Sequence, residues 1–406
     1  MVRLGLPHHE GVVLSCDNTE LIGFRPGNID RAFARVLNVV QVEHLVVKAL
    51  QGALWQGNQA DRQFKAGKPR CRLHHVSDVF EVDRDIVALS YSAIRVPLPG
   101  APGQGYAVSI GGYVGNSTKE LLMNQWKIGD VKISRIVESE AIWDGTFLLP
   151  NATAEAIKKE RDWLYPAFSN EEGKVHLAIQ ALLIESQGKR ITVDTCIGND
   201  KVRTNPEWNK LQLPFLKDLE KIGSPRESID RVICTHLHID HVGWNTMLKN
   251  DKWVPTFPNA KYLLGGTEWD FFSRAEDPFL KDPVEDSVRP VIAEGMCELV
   301  DDKYRVTDEV WLESTPGHTP GHFAVRISSK GQDAVITGDL MHHPIQCRYP
   351  EWDDNFDVDL PLAKKTRRAF CERYADSKTL VLGTHFATPS AGKIVKKDDS
   401  FRFVLA

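Results

Sequence analysis

The chain has 406 residues, 42% of them hydrophobic and 26% charged, with a formal net charge of -5. That is enough apolar material for a sizeable core, yet no stretch approaches the ~18–20 uninterrupted apolar residues of a spanning helix, which excludes a helical membrane protein. The acidic balance presents no basic field to nucleic acid or an anionic membrane. The opening residues, MVRLGLPHHEGVVLSC, hold no apolar segment of the ~7–15 residues a secretory signal needs. Seven cysteines, an odd number without a CxxC pair, argue against a disulfide framework and for a reducing, cytoplasmic setting.

In chain order, the first regular signal is an amphipathic helix carrying Val39, Val42, Leu45, Val46 and Leu50 at three- to four-residue spacing. A strand follows over 86–96, and the stretch 97–118, with Pro97, Pro99, Gly100, Pro102 and Gly103, reads as a linker or irregular loop. The texture changes near residue 120. Residues 1–122 read as an N-terminal extension of undefined fold and 123–406, opened by Met123, as a second unit.

Strands are expected there at 131–143, 176–186, 189–196, 231–236, 261–266, 309–315, 322–329, 333–339 and 379–385, the second and third joined by Gln187-Gly188. Helical patterns fall at 152–163, 211–222, 267–273 and 361–375. Strands with interspersed helices point to a layered α/β or α+β domain.

The chemistry gathers behind these strands. Residues 236–241 read His-Leu-His-Ile-Asp-His, directly after the apolar RVICT. Imidazole nitrogen and carboxylate oxygen are the ligands that zinc-type ions prefer. An extended backbone from His236 to His238 projects both side chains to one side, and a helical turn from Asp240 presents Asp240 and His241 to a neighbouring point. Such a segment serves two metal ions. Three more strands run into ligand-type residues: His318 and His322 after EVWLEST, Asp339 after DAVITG, and His385 after TLVLGT. In layered α/β folds, sites form where strand ends and their loops converge.

The blocks THLHIDH, STPGHTPGH, TGDLMHH and LGTHFATP together resemble the metallo-β-lactamase-fold hydrolases, nearest the dinuclear branch of N-acyl-homoserine lactone lactonases and methyl-parathion-hydrolase-like enzymes. The resemblance covers about residues 125–400 and implies an αββα sandwich preceded by the N-terminal extension. It puts one divalent metal on His236, His238 and His318 and a second on Asp240, His241 and His385, with Asp339 bridging; zinc is the default ion. It also makes Asp194 a support for the site, and it sets Cys196 where many relatives have glycine. His322 is read as packing or hydrogen-bonding support, His342 and His343 as lining the pocket or only satisfying backbone groups, and His176 as structural. The pairs His8-His9 and His74-His75 have no partner block and read as exposed. Cys234 reads as core, whereas Trp244 and Trp269 are candidates to wall an apolar cleft.

The mechanism implied is a hydroxide shared by two metals attacking a carbonyl or phosphoryl centre, with Asp240 relaying a proton. No GxSxG elbow supplies a serine nucleophile. His241 argues against the common metal-dependent β-lactamases. The short tail after His385 argues against glyoxalase II thioesterases, and the lack of a basic surface argues against the nuclease relatives. The lactonases carry a Tyr three residues after the bridging Asp, where it contacts the substrate carbonyl; His342 stands there in this chain. The expectation is a metal-dependent hydrolase of a small carboxylic ester or lactone, with Asp240 and His342 as its catalytic residues. Phosphotriester hydrolysis and a catalytically inactive metal-binding protein are the alternatives. The oligomeric state and the role of the extension are left open.

Overall fold

The computed structural model describes residues 125–406 and, before them, only the backbone of five strands, Val13–Leu14, Ile22–Gly23, Arg72–Val82, Asp85–Pro97 and Gly105–Tyr113. Backbone proximity divides the chain at Glu120 and Leu121. In the first unit, the last three strands form an antiparallel meander. The strand expected at 86–96 is its centre, and Gly105–Tyr113 corrects the reading of 97–118 as irregular throughout, because a glycine-bearing segment on the edge of a sheet still fills its ladder. The helix expected at 39–50 and the pair His8-His9 lie outside the described residues. At His74 and His75 only the backbone is described.

The second unit holds sixteen strands, numbered here in chain order. They are β1 (Gln125–Ile128), β2 (Val131–Trp143), β3 (Val175–Ser186), β4 (Lys189–Val193), β5 (Arg231–Ile233), β6 (Thr246–Lys249), β7 (Lys252–Pro255), β8 (Lys261–Gly265) and β9 (Cys297–Val300). The rest are β10 (Arg305–Thr307), β11 (Val310–Ser314), β12 (Phe323–Ser329), β13 (Gln332–Ile336), β14 (Leu380–Leu382), β15 (Ala391–Lys397) and β16 (Ser400–Leu405). One seven-stranded sheet has the order β9-β8-β5-β4-β3-β2-β1, the other β10-β11-β12-β13-β14-β15-β16, and β6 and β7 form a separate hairpin.

Side-chain alternation explains the layering. Leu182 and Ile184 of β3 face one way, into a core shared with Val325 and Ile327 of β12 and Ala334 and Ile336 of β13. Their neighbours Ala181 and Leu183 face the other way and pack with Phe215, Leu219, Phe272 and Val288 from the helical segments over the first sheet. Across the second sheet, Ala324 and Val335 pack on Phe370, Cys371 and Tyr374 of the helix Leu360–Tyr374. Both faces of the central strands of each sheet are therefore dry, and the order is helix, sheet, sheet, helix. Each buried aliphatic side chain contributes roughly 1.5–3 kcal/mol to this stack.

The expected elements sit where the periodicity puts them, with shorter ends. The helical reading of 152–163 is two pieces, Ala154–Lys159 and Arg161–Leu164, and that of 211–222 shrinks to Phe215–Lys221 behind Pro214. The terminal hairpin β15–β16 was not anticipated, although Phe401 and Phe403 are buried on alternate positions around Arg402.

Strand direction delivers the ligand-type residues to one rim. β4 and β5 are parallel, so Asp194 and His236 leave at the same end. β13 and β14 are parallel, which places Asp339 and His385 together. β11 runs antiparallel to β12 and β12 to β13, so His318 leaves at that end too.

Gly243 makes the exit from 236–241 possible. A Cβ there meets the carbonyl oxygen of Ile197 at 1.8 Å, a backbone contact that no rotamer change relieves. Gly243→Ala should cost about 2 kcal/mol or more, read as a lowered urea midpoint in the chelated protein. An unchanged midpoint would show that the two loops are not packed this way.

Candidate metal centre

The loop after β4 is wound tightly: Asp194 and Cys196 have φ of 58° and 54°, in the left-handed region that favours glycine. That conformation lets the loop zip onto the histidine segment, with Thr195 N donating to His241 O at 2.8 Å and Gly243 N to Cys196 O at 2.8 Å. The Asp194 carboxylate accepts from Thr235 N at 2.8 Å and, through Oδ2, from His241 Nδ1 at 3.0 Å. Cys196 thus holds a glycine-like backbone without opening the loop.

The hydrogen bonds on the outer ring nitrogens assign the tautomers. Thr235 Oγ1 gives its proton to Asp194, so it accepts from His236 Nδ1 at 3.1 Å. His318 Nδ1 donates to Asp357 Oδ1 at 3.1 Å, His385 Nδ1 to Ala178 O at 2.9 Å and His342 Nδ1 to Asp354 Oδ2 at 2.7 Å. With its N–H committed outward, each ring aims a lone pair from Nε2 inward.

These inner atoms face one another. His238 Nδ1 lies 3.0 Å from both His236 Nε2 and His318 Nε2, and His385 Nε2 lies 3.2 Å from His241 Nε2. The ligand atoms of His236, His238, His318 and Asp339 lie within 4.8 Å of one another, as do those of Asp240, His241 and His385, and those of Asp339, His342 and His385. Asp339 is common to the first and third groups, its Oδ2 3.6 Å from His236 and His318 and 3.1 Å from His241 and His342. Buried Asp339 Oδ1 makes no hydrogen bond to any described residue. Facing lone pairs and an unsatisfied carboxylate oxygen fit divalent cations, because only a cation answers both.

Electrostatics agree with that fit. Burial drives His236 and His318 well below the ordinary imidazole value and His238 down to about 4, so these rings are neutral. At His241 burial pulls the same way, but Asp339, Asp240 and Asp194 outweigh it and hold the ring well above the usual range. In the chain alone, protons take the place of the cation.

His322 is not part of this set. Its Nδ1 bonds Thr315 Oγ1 at 2.8 Å, and its Nε2 accepts from Asp339 N at 2.8 Å, so it supports the bridging segment, as expected. His343 takes the second of its two readings and satisfies backbone groups: Nε2 meets Phe168 O at 2.8 Å and Nδ1 accepts from Ile345 N. Cys234 is core.

A cleft of about 950 Å³, counting its open mouth, has Asp240, Asp339, His342 and His385 at its floor. Its walls are Trp143, Phe147, Trp208, Phe279 and Phe356, linked edge to edge with Trp143 to Phe147 centroids 5.3 Å apart and Phe147 to Phe356 5.7 Å. Trp244 and Trp269, the candidates for these walls, lie elsewhere. Trp244 is buried, stacked on Phe215 at 5.5 Å, and donates Nε1–H to Glu138 at 2.7 Å; Trp269 packs against the helical core. Trp208 rides on a loop whose stem closes through Lys210 N to Lys201 O at 2.7 Å. That stem is anchored by buried Lys201 and Arg203 on Asp286, Arg203 through two bonds of 2.6 and 3.1 Å.

Several supporting carboxylates escaped the sequence reading because none belongs to a ligand-type block: Asp354 and Asp357 stand in an acidic run, 351–359, and Glu268 among glycines and aromatics. Besides Asp354 and Asp357, Glu268 is buried beside the centre, accepting from Leu237 N at 3.2 Å and Gly321 N at 2.8 Å. It ties the loop of His236 and His238 to that of His318.

The comparisons with known proteins fall on this same region. The family model for the Metallo-beta-lactamase superfamily matches residues 176–385. An N-acyl homoserine lactonase of a Bacillus species is 26% identical over 199 residues, 46% of this chain and 70% of its own length. An uncharacterized protein of Aquifex aeolicus is 27% identical over 54% of this chain and 90% of itself. Among solved structures, the dizinc quorum-quenching lactonase AidC superposes with a TM-score of 0.59 at 22% identity, over 70% of this chain and 96% of its own. A probable metal-dependent hydrolase from Staphylococcus aureus gives 0.55 at 20% identity, over 69% and 99%. These two likenesses establish the shared fold.

Burial raises Glu268 to about 7 from 4.5. Between those values the folded chain keeps a proton that the unfolded chain has released, so this group's contribution falls as pH rises through the window. Glu268→Gln should flatten the loss, a difference of up to ~3 kcal/mol between pH 4.5 and 7. Urea unfolding of chelated protein across that range reads it, and parallel slopes for the two proteins would count against the argument.

Proposed function

The chain belongs to the metallo-beta-lactamase superfamily, and from that premise we propose that it is a metal-dependent hydrolase of carboxylic esters or lactones with an apolar acyl group. The observation that carries the reading is the set of buried ring lone pairs converging on Asp339 at the floor of an aromatic-walled cleft. In this reading His236, His238 and His318 would hold one ion and Asp240, His241 and His385 a second, with Asp339 available to both. Zinc fits the nitrogen-rich donor set. Catalysis is assigned to residues 123–406, with 1–122 as an extension.

Divalent ions bound there supply Lewis-acid polarisation of the scissile group and hydroxide at neutral pH. The chain's own residues do the rest. Trp143, Phe147, Phe279 and Phe356 take the apolar part of the substrate and exclude water from the floor. Asp240, half-buried and open to the cleft, stands where it passes a proton to the leaving oxygen. Asp194, Asp357 and Glu268 keep the donor atoms from relaxing away from one another.

The aromatic walls also suit an aryl leaving group, so phosphotriester hydrolysis is the second reading. A binding protein without turnover is disfavoured by the complete donor set. Five cysteines among the described residues are free thiols, and no described helix is long and apolar enough to cross a membrane.

Elemental analysis should find about two metals per chain, with turnover of a lactone lost on chelation and restored by zinc. Relative rates on a lactone and a phosphotriester choose between the readings, and metal-free protein with chelator-insensitive turnover defeats both. Asp339→Asn should lower metal content and reduce turnover to background. Trp208→Ala should raise KM for a long-acyl lactone by about tenfold, equivalent to ~1.4 kcal/mol, while leaving a short-acyl lactone unaffected; equal effects on both would remove Trp208 from the acyl wall.

A further inference from the structure

Resting on the dinuclear reading above, we infer that His342, oriented by Asp354, is an additional metal ligand beside Asp339 and His385. Each buried histidine must satisfy two ring nitrogens. His322 and His343 are buried at the same rim, and both nitrogens of each are consumed by protein partners. His236, His241, His318 and His385 behave differently: one nitrogen is tied to Thr235, Asp194, Asp357 or Ala178, and the other faces the centre. His342 follows the second pattern. Its Nδ1 is 2.7 Å from Asp354 Oδ2, and its Nε2 stands 3.1 Å from Asp339 Oδ2, the same separation as His241 Nε2 from that oxygen.

The ring has little freedom to do anything else. Asp354 is buried, and its carboxylate also accepts from Gln346 Nε2 at 3.1 Å and Phe356 N at 3.1 Å. Gln346 Oε1 in turn accepts from His342 N at 2.7 Å and His343 N at 3.1 Å. Side chain and backbone of His342 are thus closed into one ring of hydrogen bonds with Asp354 and Gln346. A carboxylate accepting from Nδ1–H leaves Nε2 as the nitrogen that faces Asp339 Oδ2 at 3.1 Å; in the chain alone a proton shared with Asp339 fills that contact, and a bound cation displaces it and takes the Nε2 lone pair. The ligand atoms of Asp339, His342 and His385 lie within 4.8 Å of one another. Asp354 is a positioning residue: it touches neither the ion nor the substrate, and it acts by fixing which nitrogen of His342 is free.

The test uses the full chain loaded with cobalt. In the unmodified protein, each ligating imidazole with an N–H gives one exchangeable, paramagnetically shifted proton resonance, and His342 should add one to those of His236, His238, His241, His318 and His385. His342→Ala and the near-isosteric Asp354→Asn should each weaken one of the two metal equivalents by about 10–100-fold in chelator competition and alter the cobalt visible band. Asn at 354 can donate to Nδ1 and so drive the N–H onto Nε2. Chelated samples of both variants, compared with the parent by circular dichroism, separate this loss from misfolding. Wild-type affinity for both equivalents, an unchanged cobalt band and no extra resonance would overturn the inference, whatever happened to turnover, and leave the dinuclear reading intact. A parent chain that takes up no cobalt would overturn both.

Discussion

Imidazole lone pairs pointed at one another in a dry interior repel, and the rest of this molecule is arranged so that they cannot turn away. The outer hydrogen bonds to Thr235, Asp194, Asp357 and Ala178 fix ring after ring with the free nitrogen inward. Desolvation keeps His236, His238 and His318 neutral. The result is a cavity shaped by charge: its most favourable occupant is a multivalent cation, and protons on His241 are the substitute when none is present.

Holding repelling groups together requires a frame that does not yield. Two sheets whose central strands are dry on both faces supply it. Donors leave the ends of parallel strands β4 and β5, and β13 and β14, so the distance between loops is set by sheet spacing. Glu268 then joins the two loops that strand pairing leaves unlinked.

The donor residues themselves were readable in the amino-acid order because all seven lie in loops that follow four strands, β5, β11, β13 and β14, where an imidazole or carboxylate stands out. Layering followed from strands apolar on both faces, such as 176–186. What escaped was of two kinds. Strands of three or four residues, β1, β9 and β10, carry too few positions for an alternation to register. Supporting carboxylates carry no motif of their own: Asp354 stands in an acidic run, 351–359, that looks like solvated surface until folding buries it, and Glu268 acts through Leu237 and Gly321, far away in the sequence. The same holds for the cleft: Trp143, Trp208 and Phe356 come from three separate segments, whereas Trp244, beside the motif, is enclosed by Phe215 and Glu138.

The loop that carries Trp208 is fastened below its own tip, by Lys201 and Arg203 on Asp286, and none of the donor atoms hangs from it. Substitutions and length changes between 204 and 208 therefore reshape one wall while the stem, closed by Asn209 Oδ1 on Arg203 N, and the centre keep their geometry. Descendants of this chain have an inexpensive route to new acyl groups: selection can rework the wall residue by residue without passing through forms that have lost their metal.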